Sequence, residues 1–359
     1  MTPTIPQPPA GAPMLDVTDL TKHYPVQGGF GRSSHAVVRA LDGVTFSLWE
    51  GETLGLVGES GCGKSTLVKS LLFLDRPTAG EVRFRGSVVN PGKLGAYRRD
   101  VQIVFQDPYT SLPSRMRVSD IIGDPLRIHG TRDKGVIEAR VAELLRDVGL
   151  NPARAREYPF QFSGGQRQRI GIARALAVKP SLLLLDEAVS ALDVSVQAQV
   201  LNLLQDLQER LGLTYIFISH DLSVVRHMSD RIAVMYLGKI VELGPAEELT
   251  GSPLHPYTVA LLSAAPSLKR ARGNRIRLEG EPPKPTDPPS GCAFHPRCPM
   301  ARPICSVEPP PLREWQPGRF SACHFAPDAK NLLLRETAQE GRLSTSSTHS
   351  EPANGGSRS

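Results

Sequence analysis

Residues 58–66 read GESGCGKST, and the spacing of Gly58, Gly63, Lys64 and Ser65 fits the pattern G-x-x-x-x-G-K-[ST]. In such a loop the backbone N–H groups wrap the α- and β-phosphates of a nucleotide. The pattern therefore predicts an ATP-binding loop made of Gly58, Glu59, Ser60, Gly61, Cys62, Gly63, Lys64, Ser65 and Thr66. The glycines allow backbone angles that a side chain forbids and let the chain approach an anion closely. Lys64 is placed to reach the β- and γ-phosphates as a point charge, and the Ser65 hydroxyl to bind Mg²⁺. A following helix would turn its N-terminal N–H groups toward the same phosphates. Glycine-rich loops also occur without nucleotides, so the reading rests on what comes later in the chain.

Two further stretches supply that company. LLLLDE (182–187) is an apolar strand ending in an acidic pair, which sets Asp186 and Glu187 at the carboxyl edge of a sheet, where ligands bind in α/β folds. Asp186 is then the Mg²⁺ carboxylate and Glu187 the group that orients and polarises an attacking water. SGGQRQR (163–169) places Ser163, Gly164, Gly165 and Gln166 just ahead of the helical stretch RIGIARALAV. That is a second anion-binding helix start in a chain with one phosphate loop. A single nucleotide has little need of two, so this helix is expected to cap a nucleotide held by another subunit.

The rest of the 359-residue chain fits an α/β protein of one large domain or two. Apolar runs at 54–57, 101–105, 182–185, 214–218 and 231–235 read as strands buried on both faces, and helical patterns lie between them. The clearest helix is 194–211, with Asp193 as its cap and Gly212 as its stop. LDVTDLTKHYPV (15–26) and ALDGVTFSL (40–48) read as strands joined by a Gly- and Ser-bearing loop at 27–35. After about 250 the aliphatic periodicity fades and Pro and Gly become dense. The expected organisation is a disordered N-terminus (1–13), an ATPase domain (14–251), a small C-terminal domain (252–330) and a disordered tail (331–359).

No apolar run approaches the ~18–20 residues that cross a bilayer, and the N-terminus lacks a signal-peptide pattern. A soluble, cytoplasmic protein is expected, reaching a membrane only through partners. A net charge of +6 with interspersed signs and 6% aromatics gives no support to nucleic-acid binding. Cys62 is read as a small side chain that the loop tolerates rather than a redox centre. The other four cysteines crowd into 292–323, and in a cytoplasmic setting such a cluster points to metal rather than disulfides.

In this order the motifs resemble those of an ATP-binding cassette (ABC) transporter ATPase, over about 14–330. FSGGQRQR (162–169) resembles the family's signature motif and SALD (190–193) its D-loop. Tyr24 resembles the aromatic that stacks on adenine. Gln106, in VFQDP, resembles the glutamine that touches Mg²⁺ and couples to the membrane domains. His220, in FISHD, resembles the switch histidine at the γ-phosphate. The resemblance implies a P-loop NTPase with a parallel sheet core, an antiparallel β subdomain and a helical subdomain, plus a small cysteine-containing C-terminal domain. One departure stands out: Ala188 occupies a position where the family commonly has proline, which removes a backbone restraint but no catalytic atom.

SPLHPYTVALLSAAP (252–266) and PPSGCAFHPRCPMARPICS (288–306) are similar to the appended domain of dipeptide and oligopeptide importer ATPases. The loop near 27–35 and SALDVSVQAQVLNLL (190–204) look like the F-type ATPase of the dipeptide system. That resemblance implies a peripheral subunit at the cytoplasmic face of the inner membrane. Its partners would be a second ABC ATPase as a heterodimer, two permease subunits and an extracytoplasmic peptide-binding protein. Importers of nickel or other solutes share the appended domain, and a soluble ABC ATPase without membrane partners is the reading from another class. An exporter subunit is disfavoured by the separate ATPase chain. Cys292, Cys298, Cys305 and Cys323 are spaced C-x5-C-x6-C-x17-C, a pattern that leaves zinc and a cubane cluster both open. The resemblance implies a structural [4Fe–4S] cluster. Zinc with His295 or His324 as substitute ligands, and free reduced thiols, are the alternatives.

Overall fold

The structure is a computed structural model that describes residues 11–26, 37–264, 280–329 and 332. The loop read at 27–35 lies outside the described residues, as do most of the two terminal segments expected to be disordered.

The chain opens with β1 (Leu15–Pro25) and β2 (Val37–Leu48), an antiparallel pair, before β3 (Thr53–Val57) enters the main sheet. After the helix Lys64–Leu71, β4 (Ala79–Phe84) and β5 (Ser87–Val88) complete a four-stranded antiparallel sheet in the order β2-β1-β4-β5. The main sheet then gains β6 (Val101–Val104), β7 (Leu182–Asp186), β8 (Thr214–Ile218), β9 (Arg231–Tyr236) and β10 (Lys239–Pro245). Two late strands, β11 (Arg313–Gln316) and β12 (Arg319–Ser321), finish the order β11-β12-β10-β9-β3-β8-β7-β6. From β9 to β6 the neighbours run parallel, and from β9 outward to β11 they run antiparallel.

The apolar runs read from the sequence are these parallel strands, and both of their faces are covered. Successive residues alternate between two cores, as the two-residue period of a strand requires. Leu54, Leu56, Leu182, Leu184, Ile216, Ile218 and Met235 pack with β1, β2 and the helix Lys64–Leu71. Leu183, Leu185, Tyr215, Phe217, Ile232 and Val234 pack with the helices on the opposite face. That second layer includes Val118–Ile128, Lys134–Asp147, Gly164–Leu176, Val194–Leu211 and Leu222–Met228. The helix Val194–Leu211 has the ends its sequence signals. Asp193 Oδ1 accepts the Val196 N–H at 3.0 Å, and Gly212 stops it at φ +63°.

The segment after 251 is built into the main sheet. Glu242 of β10 pairs with Ser321 and Leu243 with Phe320. The buried Glu242 carboxylate also accepts the Leu254 and His255 N–H groups at 2.7 and 2.9 Å. Both donors open the turn that leads to the helix Pro256–Ala264. Among the described residues no helix is long and apolar enough to cross a membrane.

Candidate active site

The phosphate-type loop runs from the end of β3 to the helix Lys64–Leu71. Gly58 sits at φ +155°, and a Cβ there would come 2.2 Å from the Met235 carbonyl oxygen. At Gly63, φ is +113° and a Cβ would meet the Ala40 carbonyl at 2.4 Å. Glycine is therefore required by contact as well as by conformation. Lys64 is buried, and its ammonium donates to the Gly58 and Glu59 carbonyls at 2.7 and 3.1 Å. A buried ammonium held by two backbone carbonyls and the Cys62 thiol 3.8 Å away, with no carboxylate hydrogen-bonded to it among the described residues, suits the phosphates of a nucleotide at a helix start. Cys62 is buried beside it with its thiol pKa raised, chiefly by burial.

Opposite the loop, the end of β7 delivers the acidic groups and the end of β8 leads to His220. Ser65 donates its hydroxyl to Asp186 Oδ1 at 3.5 Å. Burial and, secondly, the neighbouring Glu187 charge raise the Asp186 pKa. A hydroxyl and a partly buried carboxylate facing one another form an oxygen donor pair of the kind Mg²⁺ takes. Glu187 adopts φ +48°, an uncommon angle for a glutamate, held by its N–H to the Ile218 carbonyl at 3.0 Å. Its Oε2 accepts the Gln106 amide at 2.9 Å and lies 3.6 Å from His220 Nδ1. Lys64, Ser65, Gln106, Asp186, Glu187 and His220 thus converge on one edge of the sheet, although they come from four separate segments.

Of the remaining sequence-predicted residues, Tyr24 meets the loop residue Thr66, while Ser163, Gly164, Gly165 and Gln166 lie at the start of another helix. Ser163 caps the helix Gly164–Leu176 in a reciprocal pair with Gln166: Gln166 N–H reaches Ser163 Oγ at 3.4 Å and Ser163 N–H reaches Gln166 Oε1 at 3.1 Å. Gly165 is pressed against the next helix, where a Cβ would come 2.3 Å from Val196 Cγ1. Tyr24 hydrogen-bonds Asp75 at 2.9 Å, under the Lys22 ammonium at 4.8 Å from its ring.

Several residues that sequence reasoning missed tie these parts together. Buried Gln168 donates to the Phe105 carbonyl at 3.5 Å and Arg174 to the Ser111 carbonyl at 2.7 Å, while Arg167 lies over the Tyr109 ring at 4.3 Å. All three link the Ser163 helix to the segment carrying Gln106. Only Gln168 of the three is fully buried, and polar residues interleaved with Ile170, Ile172 and Leu176 were the available signal. Behind the phosphate loop, Gly238 N–H reaches the Cys62 carbonyl at 2.8 Å, the Tyr257 hydroxyl accepts the Glu59 N–H at 2.8 Å, and Arg297 pairs with the Glu59 carboxylate.

The metal reading of the four C-terminal cysteines is corrected by the structure. Among the described residues no group of three or more His, Cys, Asp or Glu side chains is placed to hold a metal ion. Cys292, Cys298, Cys305 and Cys323 are free thiols that line one cavity. Burial pushes the Cys298 thiol up to about 11 and the Cys323 thiol up to about 12. Neither the [4Fe–4S] cluster nor zinc, with or without His295 and His324, is retained. Cys292 and Cys298 pack as small apolar groups against the core cluster that holds Phe294.

Comparison with known proteins agrees with this geometry. Residues 41–190 match the family model described as ABC transporter. Residues 241–305 match the model described as oligopeptide/dipeptide transporter, C-terminal region. The chain is 51% identical over 342 residues to a probable peptide ABC transporter ATP-binding protein of Sinorhizobium fredii, covering 91% of this chain and 97% of the relative. It is 52% identical to the oligopeptide transport ATP-binding protein AppF of Bacillus subtilis, over 87% and 97% of the two chains. It is 49% identical to the di/tripeptide transport ATP-binding protein DppF of Pseudomonas aeruginosa, over 87% and 98%. A solved structure described as the dimeric post-hydrolysis state of an ATP-binding cassette bound to ADP and Pi aligns with a TM-score of 0.57. It shares 30% identity and covers 65% of this chain and 99% of that one. The fold is that of an ABC ATPase. The chain belongs to the oligopeptide/dipeptide transporter family of ABC ATP-binding proteins.

Proposed function

We propose that this chain hydrolyses ATP to power uptake of dipeptides or oligopeptides through a multi-subunit ABC transporter. The observation that carries the reading is the convergence of Gln106 and His220 on the Glu187 carboxylate, next to the Ser65–Asp186 pair and the buried Lys64. Backbone N–H groups of 58–66 and the Lys64 ammonium bind the phosphates, and Tyr24 stacks on the adenine. Ser65, Asp186 and Gln106 would hold Mg²⁺, which when bound supplies charge neutralisation at the β- and γ-phosphate oxygens. Glu187 accepts a hydrogen bond from the attacking water, and His220 donates to the γ-phosphate. Catalysis of this kind is largely positioning and charge stabilisation.

Ser163, Gly164, Gly165 and Gln166 serve a nucleotide held by a second ATPase subunit, closing head to tail on this one. Relatives named as peptide transport ATP-binding proteins support the choice of cargo, and the assembly would include two permeases and a peptide-binding protein. The chain would then sit at the cytoplasmic face of the membrane through its permeases. A mild-detergent pull-down of the tagged chain from native membranes tests this. Two permeases and a second ATPase among the captured proteins support it, and soluble partners alone would overturn the transport role.

A further inference from the structure

Glu59 puts a carboxylate into a loop otherwise arranged for anions; between Gly58 and Thr66 it is the one acidic residue. Such a charge repels phosphates bound nearby, and the repulsion is strongest where water is excluded. The structure shows what opposes it. Arg297 Nη1 and Nη2 donate to Glu59 Oε2 and Oε1 at 2.9 and 3.1 Å, a two-pronged pair between residues 238 positions apart. The Arg297 side chain is 7% exposed and that of Glu59 26%, so solvent screens the pair weakly. The Tyr236 hydroxyl lies beside the guanidinium as well, and the buried Nε has no partner among the described residues.

The base that carries Arg297 is rigid. Arg297 closes the short turn His295–Arg297, directly after the buried Phe294. The Phe294 ring packs edge-on against Tyr236, with centroids 5.3 Å apart, and against Tyr257 at 5.4 Å. Tyr257 in turn accepts the Glu59 N–H at 2.8 Å. One residue of the phosphate loop is therefore fixed at both its backbone and its side chain by the segment after 251.

We propose that Arg297 is a positioning residue of the phosphate loop: it neutralises Glu59 and, with Tyr257, fixes the residue whose carbonyl helps receive the Lys64 ammonium. The C-terminal segment is then part of the nucleotide site. This rests on the reading of 58–66 as the ATP loop.

The test measures binding of a fluorescent ADP analogue to the full chain, with Mg²⁺, at low and high salt, alongside thermal melting. Arg297→Gln should weaken binding roughly 10-fold at low salt and less at high salt, because it uncovers a charge. Adding Glu59→Gln to Arg297→Gln should restore most of the lost affinity, a rescue that a purely structural role would not give. Tyr257→Phe keeps the ring packing and removes the hydroxyl, and should weaken binding by a smaller factor. Should Arg297→Gln fail to fold, Arg297→Lys and Tyr257→Phe carry the test. Wild-type affinity in the Arg297 and Tyr257 variants, or a double variant no better than Arg297→Gln, overturns the proposal. Lys64→Ala separates the two claims. If it binds nucleotide normally, the ATP-loop reading fails; if it alone loses binding, only the Arg297 inference fails.

Discussion

The Gln106 side chain donates its amide to Glu187 Oε2 at 2.9 Å. The same oxygen lies 3.6 Å from His220 Nδ1. One carboxylate oxygen therefore receives groups from the loop after β6 and from the end of β8, at the terminus of β7. A shift in any of the three strands would be felt at Glu187.

Replacing Glu187 by Gln keeps the side-chain shape and removes the charge. We expect ATP binding to persist and turnover to fall by about 10²- to 10⁴-fold, the range for losing a general base. Phosphate release and nucleotide binding measured on the same preparation check this, and normal turnover would remove Glu187 from its role.

Gly165→Ala inserts a Cβ 2.3 Å from Val196 Cγ1. Because that atom belongs to the next helix, the start of the Ser163 helix must move or Val196 must change rotamer, at a cost of about 1–3 kcal/mol. Turnover of the assembled transporter should drop while nucleotide binding to the 58–66 loop of the isolated chain stays unchanged. Loss of both would place Gly165 in the fold rather than at the partner's nucleotide.

Chelators should leave the melting temperature unchanged, because no metal-holding group is present around Cys292, Cys298, Cys305 and Cys323 among the described residues. Alkylation of Cys298 and Cys323 in the folded chain at pH 8 should be slow, since burial holds both thiols protonated up to about 11 and about 12. A fall of several degrees on adding chelator contradicts the free-thiol account.

His255 is buried, and burial lowers its pKa to about 3 from an ordinary 6.5. The folded state holds it neutral, so the stability it contributes is present above pH 6.5 and is lost as pH falls toward 3. Glu242, pushed up to about 7 by burial, works in the opposite sense: its contribution is complete below pH 4.5 and is lost as pH rises through 7. The two offset each other between pH 4.5 and 6.5. In His255→Asn the stability gap from the parent chain should shrink by about 1.4 kcal/mol per pH unit as pH falls from 6.5 to 5. Denaturant melts at three pH values check it, and a pH-independent gap would contradict the buried neutral histidine.

The parallel strands were legible because burial on both faces writes continuous apolar runs, as in LLLL at 182–185, and the two cores take alternate residues of each run. The helix Val194–Leu211 was legible because both of its ends are set by local chemistry at Asp193 and Gly212. The meeting of Glu187 with Gln106 and His220 followed from motif order, through resemblance, and not from any periodicity. The Glu59–Arg297 pair was invisible, since an ion pair across 238 positions leaves no local pattern. The joining of β12 to β10 was equally hidden, because short polar strands carry little period-two signal. Cysteine spacing misled for a related reason: closeness in sequence put four thiols around one cavity without setting the distances a metal needs.

The most direct test of the whole account is peptide uptake by vesicles reconstituted with the transporter purified from native membranes through this chain. The account predicts accumulation of a labelled di- or oligopeptide that requires ATP inside the reach of this subunit and collapses when the subunit carries Glu187→Gln. ATP hydrolysis that continues without any peptide accumulating, and without response to peptide, would contradict it.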